Sequence, residues 1–143
     1  MKQSPILTFR SSAFPVAPGE DADTNPGIYG KALAQWLSTR LGARGLACGE
    51  AFAEDFGWCV GVKMGDKGVH LVCSSGETAD TWQVFCFTER GFLDRLRRRP
   101  DATETLEQVF DAVKDCLSAA PEVTELVEEE RADDDRIEAG PPR

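Results

Sequence analysis

The stretch from Phe56 to Thr88, FGWCVGVKMGDKGVHLVCSSGETADTWQVFCFT, constrains this chain more than any other. From Trp58 to Met64 the residues alternate: Trp58, Val60, Val62 and Met64 fall on one face, and Gly57, Cys59, Gly61 and Lys63 on the other. Gly65-Asp66-Lys67-Gly68 has glycines at both ends and reads as a turn. Val69 to Cys73 then resumes the alternation. A hairpin centred on Asp66-Lys67 pairs Met64 with Val69, Val62 with Leu71 and Val60 with Cys73, all apolar. The same register sets Lys63 opposite His70, Gly61 opposite Val72 and Cys59 opposite Ser74. A slip of one residue would mix the two sets, so pattern and turn specify which face is which. After the polar loop Ser74–Asp80, Trp82 to Thr88 forms a third strand, apolar on both faces.

Around this meander the chain reads as strands followed by helices. Pro5–Phe14 is expected to form a short edge strand with Leu7 and Phe9 on one side. A long polar linker follows, through Pro15, Pro18, Gly19 and EDADTNPG. Asn25-Pro26 is expected to open the first helix, since Thr24 or Asn25 can cap and Pro26 suits a first turn. Its stripe is Tyr29, Leu33, Trp36, Leu37 and Leu41. Leu46–Ala53 is a less regular strand candidate, closed by Glu54-Asp55. After the meander, Phe92–Arg99 (FLDRLRRR) reads as a short helix ending before Pro100. Thr103–Ala119 is a longer helix with the stripe Leu106, Val109, Phe110, Val113 and Leu117, with Cys116 beside it. Pro121 stops it, and Glu122–Val127 adds a last strand. The expected fold class is α+β: an antiparallel meander sheet of about four or five strands. Helices pack on the face holding Val60, Val62, Val69 and Leu71, in a two-layer sandwich.

With 143 residues the chain has the length of one domain, taken as 1–127 with residues 1–24 partly extended or loop. Residues 128–143 read as an acidic disordered tail. Nine acids against three bases between Glu122 and Arg143 put −6 of the net charge of −9 at this end. Nucleic acid is therefore not an expected partner, because phosphate binding needs a basic field. No apolar run is long enough to span a bilayer, and Met1–Arg10 lacks the apolar core of a signal peptide. The five cysteines, Cys48, Cys59, Cys73, Cys86 and Cys116, are odd in number and include no CxxC pair. They read as buried free thiols in a reducing cytoplasm. One histidine and no paired cysteines give no metal site, and no cofactor is expected.

Phosphate loops, dinucleotide fingerprints, nucleophile elbows and HExxH helices are all missing from the sequence. Two constellations are candidates for binding. The first is the second sheet face, with Cys59, Lys63, His70 and Ser74 around Gly61 and Val72. Cys59 and His70 share that face, but the expected register leaves them two same-face steps apart, beyond the reach of a nucleophile–base pair. Glycine there allows close approach by another chain. The second is a basic knob at the end of the short helix, with Arg95, Arg97, Arg98 and Arg99 after Arg90. Arg95 and Arg98 are its binding candidates, for phosphate, an acidic partner segment or the protein's own tail.

The segments NPGIYGKALAQWL and EDFGWCVGV resemble small, uncharacterised bacterial proteins of similar length. Those carry an Asn-Pro-Gly helix start with an aromatic-Gly pair and an acidic-aromatic-Gly-Trp-Cys strand. The resemblance covers about Asn25–Leu117 and implies a bacterial, cytoplasmic origin; it brings no activity and no functional residues. Two readings follow. The first is a non-enzymatic interaction or regulatory protein whose partner is another protein, a second copy of itself included: an inhibitor, an immunity factor or a protein like the secretion chaperones, which it resembles in composition only. The second is a small-molecule-binding domain or minor enzyme with a pocket between the first helix and the sheet, near Trp58, Trp82 and Tyr29. Membranes are expected to play no part.

Overall fold

The structure is a computed structural model and describes residues 2–65, 67–88 and 103–130. It is an α+β fold. Among the described residues the elements run β1 (Lys2–Gln3), β2 (Ile6–Arg10), a single 3-10 turn (Glu20–Ala22), α1 (Lys31–Ala43), β3 (Ala47–Cys48), β4 (Phe52–Glu54), β5 (Gly57–Met64), β6 (Lys67–Ser75), β7 (Thr81–Thr88), α2 (Thr103–Ala119) and β8 (Thr124–Glu129). All recorded pairings are antiparallel. The sheet has the order β3-β5-β6-β7-β2-β8, with β4 also on β5 and β1 also on β7. Among the described residues eight strands thus replace the four or five expected. The extra ones are two- and three-residue pieces, too short to show a period in the sequence.

The meander forms, with its faces as expected, but in a different register. Met64 pairs with Lys67, Val62 with Val69, Gly61 with His70 and Val60 with Leu71. The offset from the expected pairing is two residues, because the loop is two residues and not four. Gly65 takes φ +66, the left-handed conformation a two-residue hairpin loop demands. A shift of two keeps every side chain on its face and changes only its neighbour. Lys63 therefore faces Gly68, and Cys59 faces Val72.

The N-terminal strand is also corrected. β2 lies inside the sheet, between β7 and β8, and not at its edge. That placement explains why Leu7 and Phe9 are buried. At the edge proper, β8 carries Glu125, Glu128 and Glu129, acids of the kind that deter a further strand from pairing. β8 includes Glu128 and Glu129, which the composition alone assigns to the tail; residues 131–143 lie outside the described residues. So do the expected helix Phe92–Arg99 and with it Arg95 and Arg98.

One core cluster joins Val60, Val62, Val69, Leu71, Cys73, Val84 and Cys86 from the sheet to Leu33, Leu37 and Leu41 of α1 and Leu106, Val109, Val113 and Leu117 of α2. Each Leu or Val fully withdrawn from water contributes about 1.5–3 kcal/mol. The helix stripes read from the sequence are the buried ones, with two exceptions. Tyr29 precedes α1, and Trp36 is half-buried, edge-on to Phe14 at 5.4 Å with Arg40 over its ring at 4.6 Å.

The start of α1 departs from expectation. Residues 25–28 form a turn, and the helix begins only at Lys31, with Gly30 as its cap residue. A Cβ on Gly30 would sit 2.6 Å from the Cys73 carbonyl oxygen, and its φ is +153. No side chain fits there, so no local Ser, Thr or Asp can cap. The cap comes instead from Glu20, in the stretch the sequence suggests is only a polar linker. Its Oε2 accepts from the N–H of Gly30 at 2.8 Å and of Lys31 at 2.9 Å, and its Oε1 from Ala17 N–H at 3.1 Å. Glu20 is buried. A carboxylate in this place meets both the orphan donors and the positive end of the helix dipole.

Candidate functional site

The second sheet face is built by the alternate residues of β3 to β7. Cross-strand pairing sorts them into rows. Ala47, Lys63 and Gly68 form the first. Gly49, Gly61, His70 and Phe87 form the second, with Gly49 N–H donating to Gly61 O at 2.9 Å. Phe52, Cys59, Val72 and Phe85 form the third. Glu54 and Gly57 lead the fourth, which continues through Ser74 and Gln83. None of these residues belongs to the core cluster, although Gly57, Cys59, Val72 and Ser74 are buried. Phe52 is 40% exposed, Lys63 is exposed, and His70, Phe85 and Phe87 are half-buried.

Between β3 and β4 the edge strand bulges. Ala47 pairs with Lys63 and Phe52 with Cys59, so one extra residue is accommodated around Glu50-Ala51. The bulge returns Phe52 to the second face, directly beside Cys59. Next to it the backbone is bare. Gly61 and Gly68 take no left-handed φ, and a Cβ on either would meet nothing within 4 Å. Among the described residues, neither conformation nor packing calls for glycine at these two positions, although strand glycine costs about 0.5–1 kcal/mol relative to alanine. The result is a groove of about 580 Å³ lined by Ala47, Gly49, Gly61, Lys63, Gly68 and His70, among others. On its far side His70 stacks on Phe87, with centroids 4.9 Å apart and planes 18° apart. The aromatic row thus stops where Gly61 begins.

Of the residues singled out in the sequence, Lys63 and His70 do line one groove. Cys59 and Ser74 share their face but are buried, at 1% and 3% exposure. The Ser74 hydroxyl accepts from Gln83 Nε2 at 3.2 Å. Burial pushes the Cys59 thiol up to about 12, with the Glu54 carboxylate adding to the shift. It is therefore a protonated thiol at neutral pH, the inert form. The two-residue change of register brings His70 within one same-face step of Cys59, closer than the sequence suggests, yet its ring is turned to Phe87. Phe52, Phe87 and Gly49 are the site residues missed by sequence reasoning. The bulge hides Phe52 and Gly49, whereas Phe87 was visible in the alternation of β7.

Trp58 and Trp82 are buried and Tyr29 is half-buried. Phe14 sits edge-on to both Trp36 and Trp82, at 5.4 and 6.0 Å, and Trp82 Nε1 donates to Ser11 O at 3.1 Å. Lys31 Nζ lies 5.2 Å from the Trp58 ring centroid, and Tyr29 N–H donates to Ser75 Oγ at 3.1 Å.

No protein-family model matches this chain, and neither does any curated protein or solved structure. No helix among the described residues is long and apolar enough to cross a membrane.

Proposed function

We propose that the protein works without catalysis, by binding another protein, and that the second sheet face is its binding surface. The observation that carries this reading is the bare backbone at Gly61 and Gly68, side by side with an aromatic row and unexplained by any of the described residues. A surface that lets another chain approach closely is what glycine in a strand is suited to. The reading takes the fold as a two-layer sandwich, with α1 and α2 sharing the face of Val60 and Leu71 and the other face left to a partner. The exposed Phe52 beside small residues gives the mixed relief from which interface cores are made. Five free thiols suit a reducing cytoplasm.

The alternative, a small-molecule pocket between α1 and the sheet, is weakened by the interlocked Phe14, Trp36 and Trp82. A protonated Cys59 likewise weighs against nucleophilic chemistry on the second face.

The test is capture from the native host with the wild type and with Gly61→Val as bait. A Cβ added at Gly61 meets no described atom within 4 Å, so the variant is expected to fold and to lose the captured protein. A protein retained equally by both baits, or recovery of a low-molecular-weight ligand alone, overturns the reading.

A further inference from the structure

We infer that the bound partner presents an acidic segment, whose carboxylates are received by Lys63, Lys67 and Arg44 at the hairpin end of the sheet. The inference rests on the proposed protein-binding role and names the chemistry of the partner. The middle of the second face, at Cys59, Val72 and Ser74, is buried within the chain and takes no part. The site lies at the end where β5 turns into β6, and there Ala47, Lys63 and Gly68 are exposed.

A second cavity, of about 620 Å³, opens at that end. Arg44 just past α1, Lys63 and Met64 of β5, Lys67 of β6, and Thr105 and Gln108 in the first turns of α2 line it. It shares Ala47 and Lys63 with the glycine-lined groove, so the two form one trench, cationic at one end and apolar at the other. Among the described residues no acid lines either part. In a chain of net charge −9 this is a local reversal of sign.

Lys63 and Lys67 are also uncompensated. Arg10, Arg40, Arg44 and Lys114 each pair with an acid, at 2.6 to 3.8 Å, and Lys31 lies over the Trp58 ring. Among the described residues neither Lys63 nor Lys67 has an acid partner. Thr105 adds a donor. It is 7% exposed, and its hydroxyl has no hydrogen-bond partner among the described residues. Two ammonium groups and a hydroxyl, on three different elements, suit carboxylates spaced along a chain. A phosphate group favours the bidentate fork of arginine, and the arginine of this cavity is already held by Asp115 at 3.8 Å. The bare Gly61 and Gly68 let the backbone of the same segment lie close against the sheet.

Fluorescence anisotropy tests this with the full chain, titrated to about 1 mM against a labelled peptide of alternating glutamate and leucine. The same peptide with lysine for glutamate is the control. Saturable binding of the acidic peptide and not of the basic one is expected, and added salt weakens it. Lys63→Glu and Lys67→Glu are each expected to weaken binding by about tenfold. Lys63→Arg keeps the charge and is expected to hold affinity within about twofold, which guards against loss through misfolding. Lys114→Glu makes the same change in net charge away from the trench and is expected to leave affinity unchanged. Absence of binding, indifference to both trench reversals, or an equal loss in Lys114→Glu overturns the inference. So does displacement of the peptide by inorganic pyrophosphate at about a tenth of the peptide's Kd, since the trench is then a phosphate site. If a host protein captured in a Gly61-dependent way is indifferent to Lys63→Glu and Lys67→Glu, the acidic segment fails and the protein-binding role stands. If capture is indifferent to Gly61→Val, the role itself fails.

Discussion

Removing the Glu20 carboxylate tests how this fold holds its first helix. Glu20 accepts three backbone N–H groups, those of Ala17, Gly30 and Lys31. Those of Ala17 and Lys31 lie near solvent, and water replaces the carboxylate at modest cost. The Gly30 N–H is buried. Leaving such a group unpaired costs about 1–3 kcal/mol. The lost interaction with the positive end of the helix adds about 0.3–1 kcal/mol. Glu20→Ala is therefore expected to cost about 3 kcal/mol, which for a domain of this size lowers Tm by about 10 °C. Glu20→Gln keeps one carbonyl acceptor and loses the charge, and is expected to fall between. Thermal melts followed by circular dichroism give both numbers, and amide exchange at Gly30 and Lys31 reports the local loss. A Tm within about 2 °C of wild type for Glu20→Ala would refute the reasoning, because no other side chain among the described residues caps this helix.

Gly30→Ala forces a Cβ to 2.6 Å from the Cys73 carbonyl and is expected to destabilise by about 2–4 kcal/mol in a urea titration. Gly61→Val adds a Cβ that meets no described atom within 4 Å and is expected to leave Tm unchanged or slightly raised, in contrast to its effect on binding. A thiol reagent at neutral pH is expected to reach the half-exposed Cys48 alone in the native state and all five cysteines after denaturation. Burial raises Cys86 to about 12 and Cys73 well above its ordinary value. The unfolded chain then releases these protons first, so stability is intact below about pH 8.5 and falls as pH rises towards 12. Cys86→Val is expected to flatten that alkaline slope in melts taken at successive pH values.

What the sequence makes legible is what has a period. The β5–β6–β7 meander and the stripes of α1 and α2 alternate strongly enough to announce both the elements and their buried faces. Loop length is not periodic. Gly65 and Gly68 are equally good turn residues, and only the assembled hairpin shows that Gly65 takes the left-handed position while Gly68 joins the strand. The start of α1 misleads for a different reason. Asn25-Pro26-Gly27 satisfies every local rule for a helix start, but close packing of Gly30 on β6 moves the start to Lys31 and transfers capping to a residue ten positions back. The second face is legible as a set of residues and not as a shape. Cys59, Lys63, His70 and Ser74 do share a face, but which of them reaches solvent depends on the bulge that returns Phe52 beside Cys59.

The account stands most directly on where a bound protein touches this one. Backbone amide shifts of the isotopically labelled chain, recorded as a captured protein is added, locate that contact. The account predicts changes gathered at Gly49, Gly61, Gly68, His70 and Phe52, with the solvent sides of α1 and α2 silent. Changes confined to the helices or to β8, with Gly61 undisturbed while the partner is bound, would contradict it.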